Sequence, residues 1–309
     1  MAMNLQDYLL AEKKPKNFFS ERAYPYISIL PALLVIALFT IYPILKAFLM
    51  SFLRYILTQP FSHPFIGFGN YIEVVGSYYF RNSLIVTAEY TIFAVSGVII
   101  FGLMVALLMN AQLRTSNFLK IIILLPWAIP TVVAGLLWKW ILNSDFGVLN
   151  GVLYSLKVIH NYIPFLSEPT LAKISIIVAH IWKEGPLAAI FFLSGLQLIP
   201  AQLYESTHID GATVWQQFRL ITLPLLRPIF LVVLVYETMT AIFSFDLIYV
   251  MTGGGPGDST ALISWFAYSE IYKSLNFGHG LALSIIISII TFVLIASYLK
   301  ALKTDYTIN

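Results

Sequence analysis

The sequence predicts an all-α membrane protein that crosses the bilayer six times, and three observations carry this fold class. The 309-residue chain is 59% hydrophobic and only 11% charged, with a mean hydropathy of +0.83, where a soluble domain carries about 25% charged residues. Its apolar residues gather into six stretches, approximately 27–52, 83–111, 118–142, 170–199, 223–251 and 281–302. Each has the roughly 20 residues that a helix rising 1.5 Å per residue needs to cross a ~30 Å hydrocarbon core. The alternating pattern of a membrane barrel is absent, and an open sheet would leave backbone groups unpaired in lipid, so the stretches read as helices.

Residues 1–26 form a charged segment ahead of the first span at 27–52, which is too long for a signal-peptide core and is expected to be retained. Lys13, Lys14, Lys16 and Arg22 lie in that segment, Arg114 and Lys120 around the second connection, Arg219 and Arg227 around the fourth, and Lys300 and Lys303 at the end. The opposite connections carry fewer basic residues: Arg54, Arg81, Lys157 and Lys273, with Lys139 and Lys173 near the ends of spans. The positive-inside rule then places both termini in the cytoplasm, consistent with six spans. The outer connections contain "HPFIGFGNYIEV", "NSDFGVLNGVLYSLKVIHNYIPFLSEPT" and "TGGGPGDST", which read as compact turns with short interfacial helices. Pro31, Pro43, Pro126, Pro130 and Pro186 fall inside spans. They either break helices around a cavity or are tolerated as prolines commonly are in membrane helices.

Composition also excludes functions. With no cysteine there is no disulfide framework, thiolate metal site or cysteine nucleophile. The net charge of +3 comes from scattered residues, which gives no footprint for nucleic acid. No G-x-x-x-x-G-K-[ST] phosphate loop is present, and "TGGGPGD" lacks the lysine that would make it one.

The polar stretch "YESTHIDGATVWQQFRLITLPLL", 204–226, interrupts this apolar background. Pro200 opens a helix over 201–209 with Glu205 in its middle, Asp210-Gly211 turns the chain, and Asp210 is placed to cap the next helix. Val214, Phe218, Ile221 and Leu225 recur at helical spacing and predict one apolar face. Pattern alone leaves two readings: an interfacial connector lying in the headgroups, or a knob that docks in the groove of a cytoplasmic partner.

The spacing in this stretch resembles a known family. Glu205-Ser206-Thr207, three residues, Gly211, nine residues, Ile221, one residue and Leu223-Pro224 look like the E-A-A, G, I-x-L-P loop of binding-protein-dependent ABC importer permeases, with Ser206 and Thr207 replacing two alanines. The longer run is similar to the carbohydrate-uptake branch, in particular the larger subunit of the maltose and glycerol-phosphate systems. "FIGFGNY" at 65–71, "NSLIVT" at 82–87, "LLPWAIP" at 124–130, "FGVLN" at 146–150 and "YVMTGGGP" at 249–256 follow in the family's order, so the resemblance spans nearly the whole chain.

This resemblance implies the type I importer permease fold, with a transmembrane core at 83–302 and a cytoplasmic coupling loop at 200–224. It implies residence in a prokaryotic cell membrane and a chain that is a transport subunit, not an enzyme. The expected partners are a second related permease, two ATP-binding subunits and an extracytoplasmic sugar-binding protein that contacts the outer loops. ATP and Mg would be held by the ATPase subunits, and this chain would bind no cofactor. Glu205, Ser206, Thr207, Asp210, Gly211, Val214, Phe218, Ile221, Leu223 and Pro224 would form the docking loop.

Ionisable residues at membrane depth cost at least about 2.5 kcal/mol each unless they face water or a partner. "AHIWKEGP" puts His180, Lys183 and Glu184 near the centre of the fourth span, with Glu89 in the second and Glu237 and Asp246 in the fifth. By resemblance to maltose-type permeases, sugar-facing positions would be Trp127 and Thr131, then His180, Lys183 and Glu184, then Glu237, Thr240 and Ala241. The family is mostly neutral there, and the charges leave room for a charged or amino-bearing sugar. The competing reading is an internal network, with Lys183 paired to Glu237 or Glu184. Two further classes are weighed: a secondary carrier or channel, for which repeated halves are not visible, and an intramembrane enzyme using His180 and Glu184, for which H-E-x-x-H and a third ligand are missing.

Overall fold

A computed structural model describes residues 24–59, 61–110 and 116–301. Most of the expected segment 1–26, with Lys13, Lys14, Lys16 and Arg22, falls outside the described residues, as do Arg114, Lys303 and the side chain of Lys120. The chain divides after Leu49 into two compact units. The first contains α1, Tyr24–Ile36, which continues through a π-helical turn, Ala37–Ile41, into Tyr42–Met50. Pro43 supplies no N–H to the preceding turn, and a widened turn just upstream absorbs the missing bond without breaking the helix.

The second unit is also helical, with no named strand among its described residues. In chain order it contains α2 (Gly69–Gly76), α3 (Tyr78–Asn110), α4 (Ser116–Ala128), α5 (Thr131–Ile141), α6 (Val148–Ser155) and α7 (Pro169–Gln197). Then follow α8 (Ala201–Ile209), α9 (Val214–Gln217, extended by a π turn, Phe218–Thr222, and by Leu223–Leu225), α10 (Arg227–Ile242), α11 (Asp246–Met251), α12 (Ile263–Tyr272) and α13 (Phe277–Ala301).

Among the described residues four helices are long and apolar enough to cross a membrane: Ser28–Met50, Tyr78–Asn110, Pro169–Gln197 and Phe277–Ala301. Two bent pairs, Ile122–Ala128 with Thr131–Ile141 at 108° and Val214–Leu225 with Arg227–Ile242 at 66°, bring the number to six when each pair is one crossing. The first bend falls at Pro130, which caps α5 in an extended conformation and cannot extend the preceding helix. The second falls at Leu226, two residues before Pro228 in the first turn of α10. Pro31, Pro126 and Pro186 sit inside helices, so of the expected proline breaks only the one at Pro130 is sharp.

The fifth span differs from expectation. Instead of running over 223–251 it ends at Ile242, the chain turns at 243–245, and α11 packs separately against α5. The turn is held by the Ser264 hydroxyl, which donates to the Ser244 carbonyl at 2.9 Å. Asp246 then begins α11, where its carboxylate meets the positive end of the helix dipole.

The frame is the long pair α3 and α7. Between helices in lipid, close packing replaces the hydrophobic drive of water, and small residues permit it. A Cβ on Gly102 would lie 2.8 Å from the Ala188 Cβ, so the helices meet there without room for a side chain. One packed cluster centres on Val98, Phe192, Leu196 and Leu226, and a second on Tyr90, Ile176, Leu247, Met251 and Trp265. A third joins α2, α12 and α13 through Val74, Ile263 and Leu283.

Candidate functional site

The bend between α4 and α5, the end of α10 and the middle of α7 enclose a cavity of ≈ 270 Å³. Thr131, the first residue of α5, faces it because the helix restarts at the bend. His180, Lys183 and Glu184 reach it from α7, and Thr240 from α10. Five of the eight residues expected to face a sugar are therefore brought together.

The other three are elsewhere. Ala241 is fully buried among Tyr90, Ile176 and Ala179. Glu237, four residues before it and on the same face of α10, is also 0% exposed, so the pair belongs to the packed side of the helix while Thr240 turns toward the cavity. Trp127 is 43% exposed and does not line the cavity. In a continuous helix Trp127 and Thr131 would share a face, but the 108° bend between them separates their directions.

The polar groups are interlinked. Lys183 Nζ lies 3.4 Å from Glu184 Oε1, which is one of the two internal pairings expected from sequence. His180 Nδ1 meets the Tyr90 hydroxyl at 2.9 Å, and that hydroxyl donates to Ser244 Oγ at 3.4 Å. Among the described residues His180 Nε2 has no hydrogen bond and faces Glu237 Oε2 at 3.9 Å, and neither Glu237 oxygen has a hydrogen-bond partner there. Glu89 lies outside this network and pairs instead with Lys173 at 2.6 Å, on a more exposed surface.

The remaining wall is formed by Phe243, Ser244, Phe245, Asp246 and Leu247; sequence reasoning named Asp246 only as an ionisable residue of the fifth span and missed the other four. Reading the fifth span as one helix hid them. The polar interruption Ser244-Phe245-Asp246 within that apolar run was the available signal. Tyr90, which orients His180, was also missed because it reads as one aromatic among many in α3.

Chemically the cavity offers hydroxyls, carboxylates, an imidazole and an ammonium beside the Phe243 and Phe245 rings, a mixture suited to holding a polyhydroxylated solute. Among the described residues no group of three His, Asp or Glu side chains could hold a metal.

At the other end of α7 the loop expected to dock a partner forms two short helices. α8 begins after Pro200 and ends at Asp210, and Gly211 follows with φ +75°, a left-handed angle that glycine adopts without strain. Asp210 does not cap the next helix. Thr213 does, through a capping box in which its hydroxyl accepts from the Gln216 N–H and the Gln216 side chain accepts from the Thr213 N–H.

The expected single face of Val214, Phe218, Ile221 and Leu225 is also corrected. The π turn at 218–222 adds residues per turn and shifts the register, so Ile221, Thr222 and Leu226 are buried while Val214 is 83% exposed and Leu225 is exposed too. Tyr204 on α8 meets Thr222 Oγ1 at 2.8 Å and ties the two helices together. Glu205, Ser206 and Leu223 remain exposed, as do Ile209, Trp215 and Leu220.

Comparisons with known proteins agree with this architecture. Residues 98–302 match the family described as binding-protein-dependent transport system inner membrane component. The chain is 39% identical over 280 residues to the trehalose/maltose transport system permease protein MalF of Thermococcus litoralis, covering 91% of this chain and 92% of the relative. It is 34% identical to the sulfoquinovosyl glycerol transport system permease protein SmoG of Agrobacterium fabrum, with 92% of each chain covered. It is 31% identical to the trehalose transport system permease protein SugA of Mycobacterium tuberculosis, over 87% of this chain and 85% of that one. In structure it superposes on a chain of a bacterial ABC transporter involved in import of the acidic polysaccharide alginate, with TM-score 0.80, 24% identity and 93% and 97% coverage, a likeness of fold. The chain belongs to the family of binding-protein-dependent transport system inner membrane components and is a multi-pass permease subunit of an ABC importer.

Proposed function

We propose that this chain forms half of the translocation pathway of an ATP-driven sugar importer and that the cavity at the α4–α5 bend holds the sugar. The observation that carries the reading is the convergence of Thr131, His180, Lys183, Glu184 and Thr240 on one cavity between three membrane helices. Relatives named for trehalose, maltose and sulfoquinovosyl glycerol transport support a carbohydrate as substrate. Charge narrows the class. Lys183 is already paired with Glu184, and Asp246 adds a second carboxylate to the lining, so an uncharged or amino-bearing sugar fits better than an acidic one.

The working assembly would contain this chain, a second related permease, two ATP-binding subunits carrying ATP and Mg, and an extracytoplasmic sugar-binding protein. The α8–α9 pair would dock in a cleft of an ATPase subunit, with Glu205 as the exposed polar anchor and Gly211 as the turn. Its exposed apolar residues Ile209, Val214 and Trp215 suit burial against a partner. That assignment sets the loop and both termini on the cytoplasmic side.

The test is ATP hydrolysis by the purified complete complex, with its binding protein, across a panel of neutral, amino and acidic sugars. Stimulation by a neutral or amino sugar, lost in Thr131→Trp, is the expected result. A wild-type complex that no sugar stimulates contradicts the reading. The isolated subunit should hydrolyse no ATP.

A further inference from the structure

A second cavity of ≈ 300 Å³ lies between the start of α3 and one face of α12, at the end of the molecule opposite the α8–α9 pair. Tyr79, Asn82 and Ser83 line it from α3, and Trp265, Phe266 and Ser269 from α12. It is at the small end of the range for ligand pockets, roughly 300–1,000 Å³.

Its lining combines flat aromatic surface with polar groups. The Tyr79 and Phe266 rings lie 6.0 Å apart and tilted by 35°, and both residues line the cavity. Asn82 donates its amide to the Asp258 carbonyl at 3.0 Å, and its side-chain oxygen makes no hydrogen bond among the described residues. The Asp258 carboxylate and the Ser269 hydroxyl also line the space or its rim without a partner among the described residues. Glu270 completes the set, with one oxygen engaged by His279 at 3.2 Å and the other accepting from the Ser274 hydroxyl at 3.5 Å.

Trp265 connects this cavity to the central one. Its indole, 6% exposed, stacks on Phe245 with centroids 6.0 Å apart and planes 16° apart, and Phe245 lines the central cavity. Lys273 Nζ lies 4.2 Å from the centroid of the same indole. One aromatic layer therefore separates the two polar spaces.

We infer that the α3–α12 cavity is a second subsite for an uncharged sugar, occupied by a pyranose ring before it passes Trp265 into the central cavity. The inference rests on the sugar-importer reading. The Tyr79 and Phe266 rings suit the weakly positive C–H face of a pyranose, while Trp265, already covered by Phe245 and Lys273, forms the buried wall behind them; the free amide oxygen, hydroxyl and carboxylate suit the sugar's O–H donors. Two carboxylates in the lining disfavour an anionic sugar, in agreement with the charge of the central cavity.

The experiment uses the complete complex in proteoliposomes, with radiolabelled trehalose and maltose as uptake probes and a diazirine-bearing trehalose as photolabel. Ser269→Trp, which fills the cavity and does not touch the central one, should raise KM for uptake at least tenfold with kcat and basal ATP hydrolysis retained. Ser269→Thr should stay near wild type. The photolabel should attach within 258–274 and be displaced by unlabelled trehalose. If Ser269→Trp does not assemble, Asn82→Ala should raise KM in the same direction. An unchanged KM in the assembled variant, or labelling confined to α5, α7 and α10, overturns the second subsite and leaves the importer reading standing. Unchanged photolabelling with weakened capture of the binding protein makes the cavity a receptor contact and also overturns it. Absence of wild-type uptake of both sugars overturns the second subsite for them, and if no sugar of the panel stimulates ATP hydrolysis the importer reading falls as well.

Discussion

Two buried asparagines show how single side chains hold the irregular parts of this molecule. Asn150 donates to the carbonyls of Asn143 and Ile163 and accepts from the Ile163 N–H, at 3.2, 3.0 and 2.9 Å, so one amide closes the loop after α6. Asn70 does the same work for the chain entering α2, donating to the Ser51 and Leu53 carbonyls at 2.7 and 2.8 Å. Asn150→Ala leaves buried backbone groups unsatisfied and should cost about 3 kcal/mol, read as a lower apparent Tm of the purified subunit. Gly102→Leu should be as damaging or worse, because nothing can give way between Gly102 and the Ala188 backbone without moving α3 from α7. At the start of α7, Glu168 accepts N–H bonds from Leu171 and Thr170, which hold its carboxyl below the ordinary carboxylate range. Its folded value is thus below its unfolded one. The stabilisation is fully present above the unfolded value and is lost as pH falls through the folded one. Glu168→Gln should flatten that acid limb in a profile of Tm against pH.

At the level of elements, the informative features are the places where helices stop. The bend at Pro130 delivers Thr131 to the cavity, and the turn at 243–245 delivers Phe243 to Leu247. The helices themselves were legible, because an apolar run of membrane length has few alternatives. Their interruptions were harder to read, since proline is compatible with both a 108° bend at Pro130 and an uninterrupted helix at Pro186. Trp127 and Glu237 were expected to face a sugar by resemblance to maltose-type permeases; the bend at Pro130 turns Trp127 away from the cavity, and Glu237 lies on the packed side of α10. The same limit applies to the α8–α9 pair, where its two helices and the turn at Gly211 followed from pattern but the π turn before Pro224 moved the buried face off Val214. Thr213→Ala removes the capping box and should destabilise α9 by about 1 kcal/mol, seen as faster amide exchange over 213–217. A larger effect on ATP hydrolysis than on Tm would mark the pair as a coupling element.

Across the whole molecule, one end of the α3–α7 frame carries the α8–α9 pair and its middle carries the polar cavity, so the two features sit on the same long helix. α7 runs without a break from Pro169 to Gln197 through His180, Lys183 and Glu184, and α8 begins four residues after its end. In the proposed assembly, movement imposed on α8 would reach the cavity wall along α7. We propose that this connection couples ATP hydrolysis to sugar movement. The most direct test is ATP-dependent uptake of radiolabelled sugar by proteoliposomes holding the complete complex, compared between wild type and Glu205→Arg. The account predicts uptake by the wild type that requires ATP and its loss in the variant, with assembly and sugar binding at the cavity retained. Uptake that proceeds without ATP hydrolysis, or that survives Glu205→Arg unchanged, would contradict it.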